Sequence, residues 1–417
     1  MIDREWVGFA GLVVFLVLLL LRAPVGLAMV VVGIAGNLAL SIVAPFLRFE
    51  PYLEGFKTLL FGTVASYTLS VIPLFILMGH LASQAGLSGD LFRGFNAVLG
   101  RLRGGVAMAA VGACAGFGSV CGSSLATAST MGRVALPELT RLGYAPRLAT
   151  GTLAAGGTLG ILIPPSTALV LYAIVVEGSV VAMFQAALLP GLLAVVGFVA
   201  VIALTVRVRP SLAPRAKRVD PAARSRDIKR LMPVLIIFAG LIAGLGAGLF
   251  TPTPAAAIGA SAVLVYGLML RALGRGGLGW GEIKTAFLDT AITTGMIAFI
   301  VFGAEVLKGF FTRAGLPATL AAWGGEVTVD PILLLVMILA AFIILGCVME
   351  SLAMVLVTVP FVWPLLLAVN GGEFVTADAA AFGMTSEELK IWFGIMALVV
   401  VELGLITPPV GLNVFII

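Results

Sequence analysis

The sequence predicts an all-α polytopic membrane protein whose second half repeats the first upside down. Three observations carry this: apolar residues fill the whole chain, basic residues gather in a few loops, and a Pro-Pro motif occurs twice. The 417 residues are 61% hydrophobic and 11% charged, with mean hydropathy +1.17 and a formal charge of +5. A soluble chain carries about 25% charged residues, so this one lacks the polar side chains to cover a water-facing surface. A span takes about 20 residues, which leaves room for about ten to twelve spans or re-entrant segments. A β-barrel is excluded because barrel strands alternate apolar and polar positions, whereas these runs are apolar all round. The net charge does not point to nucleic acid, since the positive residues lie in loops between apolar runs.

The rare reactive residues exclude other classes. Cys114, Cys121 and Cys347 all lie inside apolar runs, which gives neither a disulfide framework nor a zinc spacing; they read as small packing residues. His80 is the single histidine, so a two-histidine metal site is impossible, and beside Gly79 it reads as a packed polar residue rather than a proton relay. Ser119 in GFGSV has no basic partner nearby to make a serine protease. No enzymatic activity is expected, and no cofactor.

Element by element, residues 1–22 read as a first span, because they lack a basic n-region and a small-residue cleavage site. Residues 1–58 form N-terminal spans, 59–206 a first repeat, 207–230 a loop, 231–284 two spans and their loop, and 285–417 a second repeat. The segment 207–230 holds nine basic residues against two acidic ones. Prolines at 210, 214 and 221 favour an irregular linker there, and the positive-inside rule makes it cytoplasmic. Counting outward from it, the loops with Arg271, Arg275 and Lys284, and with Arg133, Arg141 and Arg147, also fall inside. The stretch 104–131 is flanked by basic residues on both sides. Its centre, GFGSVCGSSLATAST, is rich in glycine and serine, so it reads as a re-entrant hairpin whose irregular tip is buried in protein or lines a wet cavity.

The motif LGILIPP at 159–165 recurs as LGLITPP at 403–409, and GSVCGSS at 118–124 corresponds to GCVMESL at 346–352. The loops around the second set carry Glu326, Asp330, Glu373, Asp378, Glu387 and Glu388, as expected outside. Each half therefore reads as a span, a re-entrant hairpin (104–131, then 331–369) and a Pro-Pro-broken helix (148–176, then 391–417), in opposite orientations. Inverted repeats with broken helices are the organisation of secondary transporters. A Pro-Pro pair removes two backbone donors, leaving carbonyls that suit a hard cation such as Na⁺. The positive N-terminal ends of the half-helices suit a carboxylate. A channel built on the same broken helices is the competing class.

SVCGSSLATASTMG, LGYAPRLATGTLAAGGTLGILIPPSTALVLYA, MFQAALLPGLL, GLFTPTPAAA and ELGLITPPVGLNVFII resemble the large membrane subunit of TRAP (tripartite ATP-independent periplasmic, DctM-type) transporters, from about Pro73 to Ile417. The resemblance implies an elevator-type fold in which hairpins and broken helices slide against a scaffold. It implies a small four-span membrane subunit, a periplasmic substrate-binding protein, and Na⁺-driven import of an organic acid across the bacterial inner membrane. A standalone Na⁺/carboxylate elevator needing no binding protein is the alternative. Three departures stand out. Pro254 replaces the family's usual glutamate, Glu350 its frequent aspartate, and the chain stops at Ile417 where relatives usually continue.

The candidate substrate residues are Ser123, Ser124, Thr127, Ser166, Glu350, Ser351 and Asn413. The candidate cation residues are Gly160, Pro164, Gly404, Thr407 and Val410, with the carbonyls of Gly404 and Val410 and the Thr407 hydroxyl as a compact Na⁺ set, an assignment that the family resemblance supports. Against these stands the plainer reading that membrane hydroxyls bond the carbonyl four residues back. Intramembrane charges are costly and usually functional, which singles out Glu350; Glu402, Glu305 and Asp289 read equally well as structural hydrogen-bond partners. Arg133 reads as a marker of the cytoplasmic edge.

Overall fold

The computed structural model describes residues 3–21, 23–214, 221–319, 322 and 330–417. Helices are the regular elements among these residues. α1 (Arg4–Leu20), α2 (Val25–Val43) and α3 (Glu50–Val64) are followed by a bent pair, α4 (Val71–Gln84) and α5 (Leu87–Leu99), whose axes turn by 69°. Sequence reasoning places one uninterrupted span here. The turn falls on Gly86, at φ 79°, a left-handed conformation that a side chain would strain.

α6 (Gly105–Cys121) and α7 (Ser124–Arg141) form the first hairpin, α8 (Pro146–Leu162) and α9 (Thr167–Val175) the first broken helix, and α10 (Val180–Val208) the return helix. α11 (Pro221–Gly246), α12 (Pro252–Ala272) and α13 (Trp280–Ala314) come next. α14 (Pro331–Gly346) and α15 (Ser351–Asn370) make the second hairpin, and α16 (Ser386–Leu405) and α17 (Leu412–Ile416) the second broken helix. By length and composition, α2, α10, α11, α12, α13 and α15 can each cross a membrane, and the bent pairs α4–α5 and α8–α9 bring the number to eight among the described residues.

Three boundaries differ from the sequence expectation. The first hairpin continues past 131 to Arg141: α7 runs on through Pro137, and Arg141 closes it as a C-terminal cation bound to Glu138 at 2.6 Å. The segment 207–230 is not irregular throughout: α11 begins at Pro221, where proline at the first helical position sacrifices no hydrogen bond. α3 runs across position 58, where EPYLEGFKTLLFGTV contains nothing to stop a helix. Pro254 lies in the first turn of α12, where backbone donors have no intrahelical acceptor anyway.

Two acidic residues of the loops flanking the second hairpin cap helices. Asp330 accepts from Ile332 N at 2.8 Å at the head of α14, and Glu388 closes a capping box with Thr385 at the head of α16. Glu326 lies outside the described residues.

Two packing groups result. In one, the long α13 lies against α1, α2, α3 and α4, and α12 lies against α4. Small residues permit this: a Cβ on Gly33 of α2 would sit 2.7 Å from Val306 Cγ1 of α13. In the other, α6, α7 and α8 pack on one another, as do α14, α15 and α16. α5 meets α6 of the second group through Phe95 over Gly112, and α11 through Gly94 under Leu231; α11 in turn lies against α12 of the first group.

Candidate functional site

The residues that correspond in the repeated motifs occupy corresponding places. In the first half, Gly118 of the hairpin meets Gly160 of the broken helix so closely that a Cβ on Gly118 would lie 2.5 Å from Gly160 Cα. In the second half, Gly346 meets Gly404 the same way, a Cβ on Gly404 lying 2.8 Å from Gly346 Cα. Each hairpin thus docks on its own broken helix through one glycine pair, backbone against backbone. Both Pro-Pro bonds, 164–165 and 408–409, are cis.

The two halves also interlock. α9, beyond the first break, packs against α15 of the second hairpin; α17, beyond the second break, packs against α7 and α8 of the first half. The two broken helices touch through α16 with α8 and α9.

At the first tip the chain turns at Gly122, φ 63°, and Ser123 caps α7, its hydroxyl accepting from Ala126 N at 3.4 Å. Thr167 Oγ1, at the start of α9, donates to Gly122 O at 2.7 Å, tying the tip to the far side of the break. Thr127 Oγ1 donates to Ser123 O at 2.7 Å, and both oxygens crowd Gly160, each 2.7 Å from where its Cβ would be. Ser166 is fully buried and caps α9, accepting from Leu169 N at 3.4 Å. Ser123, Thr127, Ser166 and Gly160 are therefore brought together around one junction, next to Pro164, which is also buried.

The second tip is held differently. Ser351 Oγ donates to Glu402 Oε1 at 2.7 Å. The Ser124 hydroxyl, from the first tip, also interacts with the Glu402 carboxyl group. Glu402 is 2% exposed, and its Oε2 has no hydrogen-bond partner among the described residues. Glu350, at the head of α15, makes no capping bond and lies within electrostatic reach of Glu402. One carboxyl group on the second broken helix is thus faced by a serine from each hairpin. Sequence reasoning left Glu402 out of the site; the signal available was a glutamate inside VVVELGL, an apolar helix where a lone acid needs partners.

The proposed cation residues are less closely gathered. Thr407 N donates to Gly404 O at 2.9 Å, and Thr407 Oγ1 to Leu403 O at 2.6 Å, the four-residue back-bond of the plainer reading. Cys347 Sγ lies 3.4 Å from Pro408 O. The second break is thus partly self-satisfied, although each carbonyl keeps a second lone pair. Pro408, Pro409 and Val410 are exposed, unlike their first-half counterparts. Asn413 is fully buried with neither amide atom hydrogen-bonded among the described residues.

Of the remaining singled-out residues, His80 is half-buried within electrostatic reach of Asp289. Glu305 and Lys308 of α13 line a cavity of about 350 Å³ with Pro360 and Lys390. Arg133 is exposed and donates to Ser129 Oγ at 3.1 Å.

Comparison with known proteins places the chain. The family described as the DctM component of tripartite ATP-independent periplasmic transporters matches residues 12–417. The C4-dicarboxylate TRAP transporter large permease protein DctM of Pseudomonas aeruginosa is 33% identical over 381 residues, 91% of this chain and 84% of that protein. The sialic acid TRAP transporter large permease protein SiaM of Vibrio cholerae is 29% identical over 359 residues, 85% of this chain and 78% of that protein. Among solved structures, the Alcanivorax borkumensis YdaH transporter superposes with a TM-score of 0.56 at 20% identity, covering 88% of this chain and 80% of that one. That last similarity is one of fold.

Proposed function

Since the chain belongs to the DctM family of TRAP transporter large permeases, we propose that it is the inner-membrane permease of a Na⁺-driven importer of an organic acid. A periplasmic binding protein delivers the acid, and a small four-span subunit joins the scaffold formed by α1–α4 and α11–α13. The observation that carries this reading is the interlocking of two inverted hairpins with two broken helices, four segments sharing partners at one junction. Ser123, Ser124, Thr127, Ser166 and Ser351 offer hydroxyl groups to a carboxylate, aided by the helix N-termini of α7, α9 and α15. Na⁺ is held by the carbonyls of Gly404 and Val410 with Thr407, and by the matching turn at Gly160 and Pro164. Glu350 and Glu402 balance cation charge, and the buried Asn413 amide completes the junction.

The hairpins and broken helices then move together between the two faces of the membrane. Separating them would leave Gly122 O, Thr167 and Glu402 without partners in a medium that offers none, at several kcal/mol for each group. The test is uptake into proteoliposomes containing this chain and its small subunit, with the binding protein added outside. Saturable uptake that requires an inward Na⁺ gradient and the binding protein is expected. Uptake at full rate without the binding protein would instead make this a standalone carrier, and flux proportional to concentration would make it a channel.

A further inference from the structure

Away from the hairpins, the basic face of the molecule contains a cavity of about 560 Å³ between the α4–α5 bend, the first turns of α11, the end of α12 and the start of α13. Arg93, Arg226, Lys229, Arg230 and Arg275 line it, against only Asp90 and Glu282. Both acids already have partners. Asp90 Oδ1 is 2.8 Å from Arg93, and Glu282 Oε2 accepts from Gly279 N at 2.8 Å with Arg271 at 3.9 Å. Arg226, Lys229, Arg230 and Arg275 form no salt bridge with any described residue. Four cations thus line one hollow without a salt-bridge partner among the described residues, and two of them, Arg230 and Arg275, lie with Asp90 within electrostatic reach of the buried Tyr266 at its wall.

The cavity has an apolar side as well. Met269 and Leu273 line it and are 49% and 57% exposed, and on α11 Met232, beside Arg230, and Ile236, less than about two turns beyond it, are also exposed. A site with cations at its mouth and bare aliphatic surface running toward the membrane interior fits a molecule with an anionic head and hydrocarbon tails. A free anion would use the first feature and leave the second uncovered. The loop charges put this face in the cytoplasmic leaflet, where anionic lipids attract basic residues.

We propose that this cavity binds the phosphate of an anionic phospholipid, with Arg226, Arg230 and Arg275 around the headgroup and the acyl chains along Met269 and Leu273. Bound there, the lipid joins α11 and α12 to the α4–α5 bend at Gly86, so it holds the angle of the arm that carries α5 to the first hairpin.

The purified chain in neutral detergent is titrated with dioleoylphosphatidylglycerol, with dioleoylphosphatidylcholine and with inorganic phosphate, and bound lipid is counted by native mass spectrometry. Retention of phosphatidylglycerol in preference to phosphatidylcholine is expected, undisturbed by millimolar phosphate. Arg226→Gln with Arg230→Gln should weaken it by about 25-fold, taking about fivefold for each charge near an anionic headgroup. Arg101→Gln with Arg103→Gln removes the same charge from exposed positions outside the cavity and should change it less than twofold. Met269→Glu, which places an anion on the acyl wall, should also weaken retention. Equal retention of the two lipids, equal effects of the two charge-matched pairs, or displacement by inorganic phosphate would each overturn the proposal; the last would make the cavity a site for a soluble anion.

Discussion

Ser351 Oγ donates to Glu402 Oε1 at 2.7 Å, joining the tip of the second hairpin to the helix that carries the second break. With Ser124 interacting with the same carboxyl group from the first tip, Glu402 is the point where the two inverted halves share a partner. Ser351→Ala leaves a buried carboxyl oxygen unmatched and should destabilise the protein by about 1–3 kcal/mol. Glu402→Gln in the Ser351→Ala background should recover part of that loss, because the amide carries no charge. Thermal unfolding of the four proteins of this double-mutant cycle measures it. Simple additivity would mean that the bond does not couple tip to helix.

The glycine pairs make a second prediction. Gly160→Ala and Gly404→Ala each drive a methyl group into backbone or a short side chain, and each should cost about 1–3 kcal/mol. Gly151→Ala and Gly295→Ala, where a Cβ would meet nothing within 4 Å, should be neutral or stabilise by up to about 1 kcal/mol through helix propensity. All four are read by unfolding in detergent. Equal effects at the paired and open positions would remove the close-packing account of hairpin docking.

Much of this junction is legible in the sequence, because its strongest signals are local. The Pro-Pro pairs, the glycine at the first tip and the motif spacing identify both hairpins and both breaks. The motif alignment even pairs Gly118 with Gly346 and Gly160 with Gly404, which the structure sets at equivalent contacts. What escapes is long-range. The bond from Thr167 to Gly122 spans 45 residues and that from Ser351 to Glu402 spans 51; no periodicity announces either. The helical start of α11 escapes because a proline at a first helical position looks like any linker proline. The α4–α5 bend escapes because one glycine in a polar stretch is a common signal with several outcomes.

Thr407 tests the cation site. Its hydroxyl proton goes to Leu403 O, which leaves the oxygen's lone pairs available to a cation. Thr407→Ala should raise the Na⁺ concentration needed for half-maximal uptake by about tenfold, as loss of one ligand worth about 1.4 kcal/mol requires, with unfolding little changed. An unaltered Na⁺ dependence would exclude Thr407 as a ligand.

The orientation of the chain is also open to measurement. Ser211, in the basic segment, and Thr376, in the acidic loop, are both exposed. Single cysteines at these two positions, in a background without Cys114, Cys121 and Cys347, should react with impermeant maleimide from opposite sides. Ser211 should label only from the cytoplasm. Reaction of both from one side would contradict the inverted arrangement.

The central claim is that both hairpins and both broken helices travel as one body past a scaffold that includes α12. Ser124 and Ser351 are buried, so spin labels belong at exposed neighbours: Arg133 on α7, Val348 at the second tip, and Ser261 on α12. Double electron–electron resonance distances are measured in nanodiscs with Na⁺ and substrate, and without them. The 133–348 distance should stay constant while 133–261 and 348–261 both change by several ångströms or more. A 133–348 distance that changes as much as the other two would contradict rigid-body movement and require each hairpin to open as a separate gate.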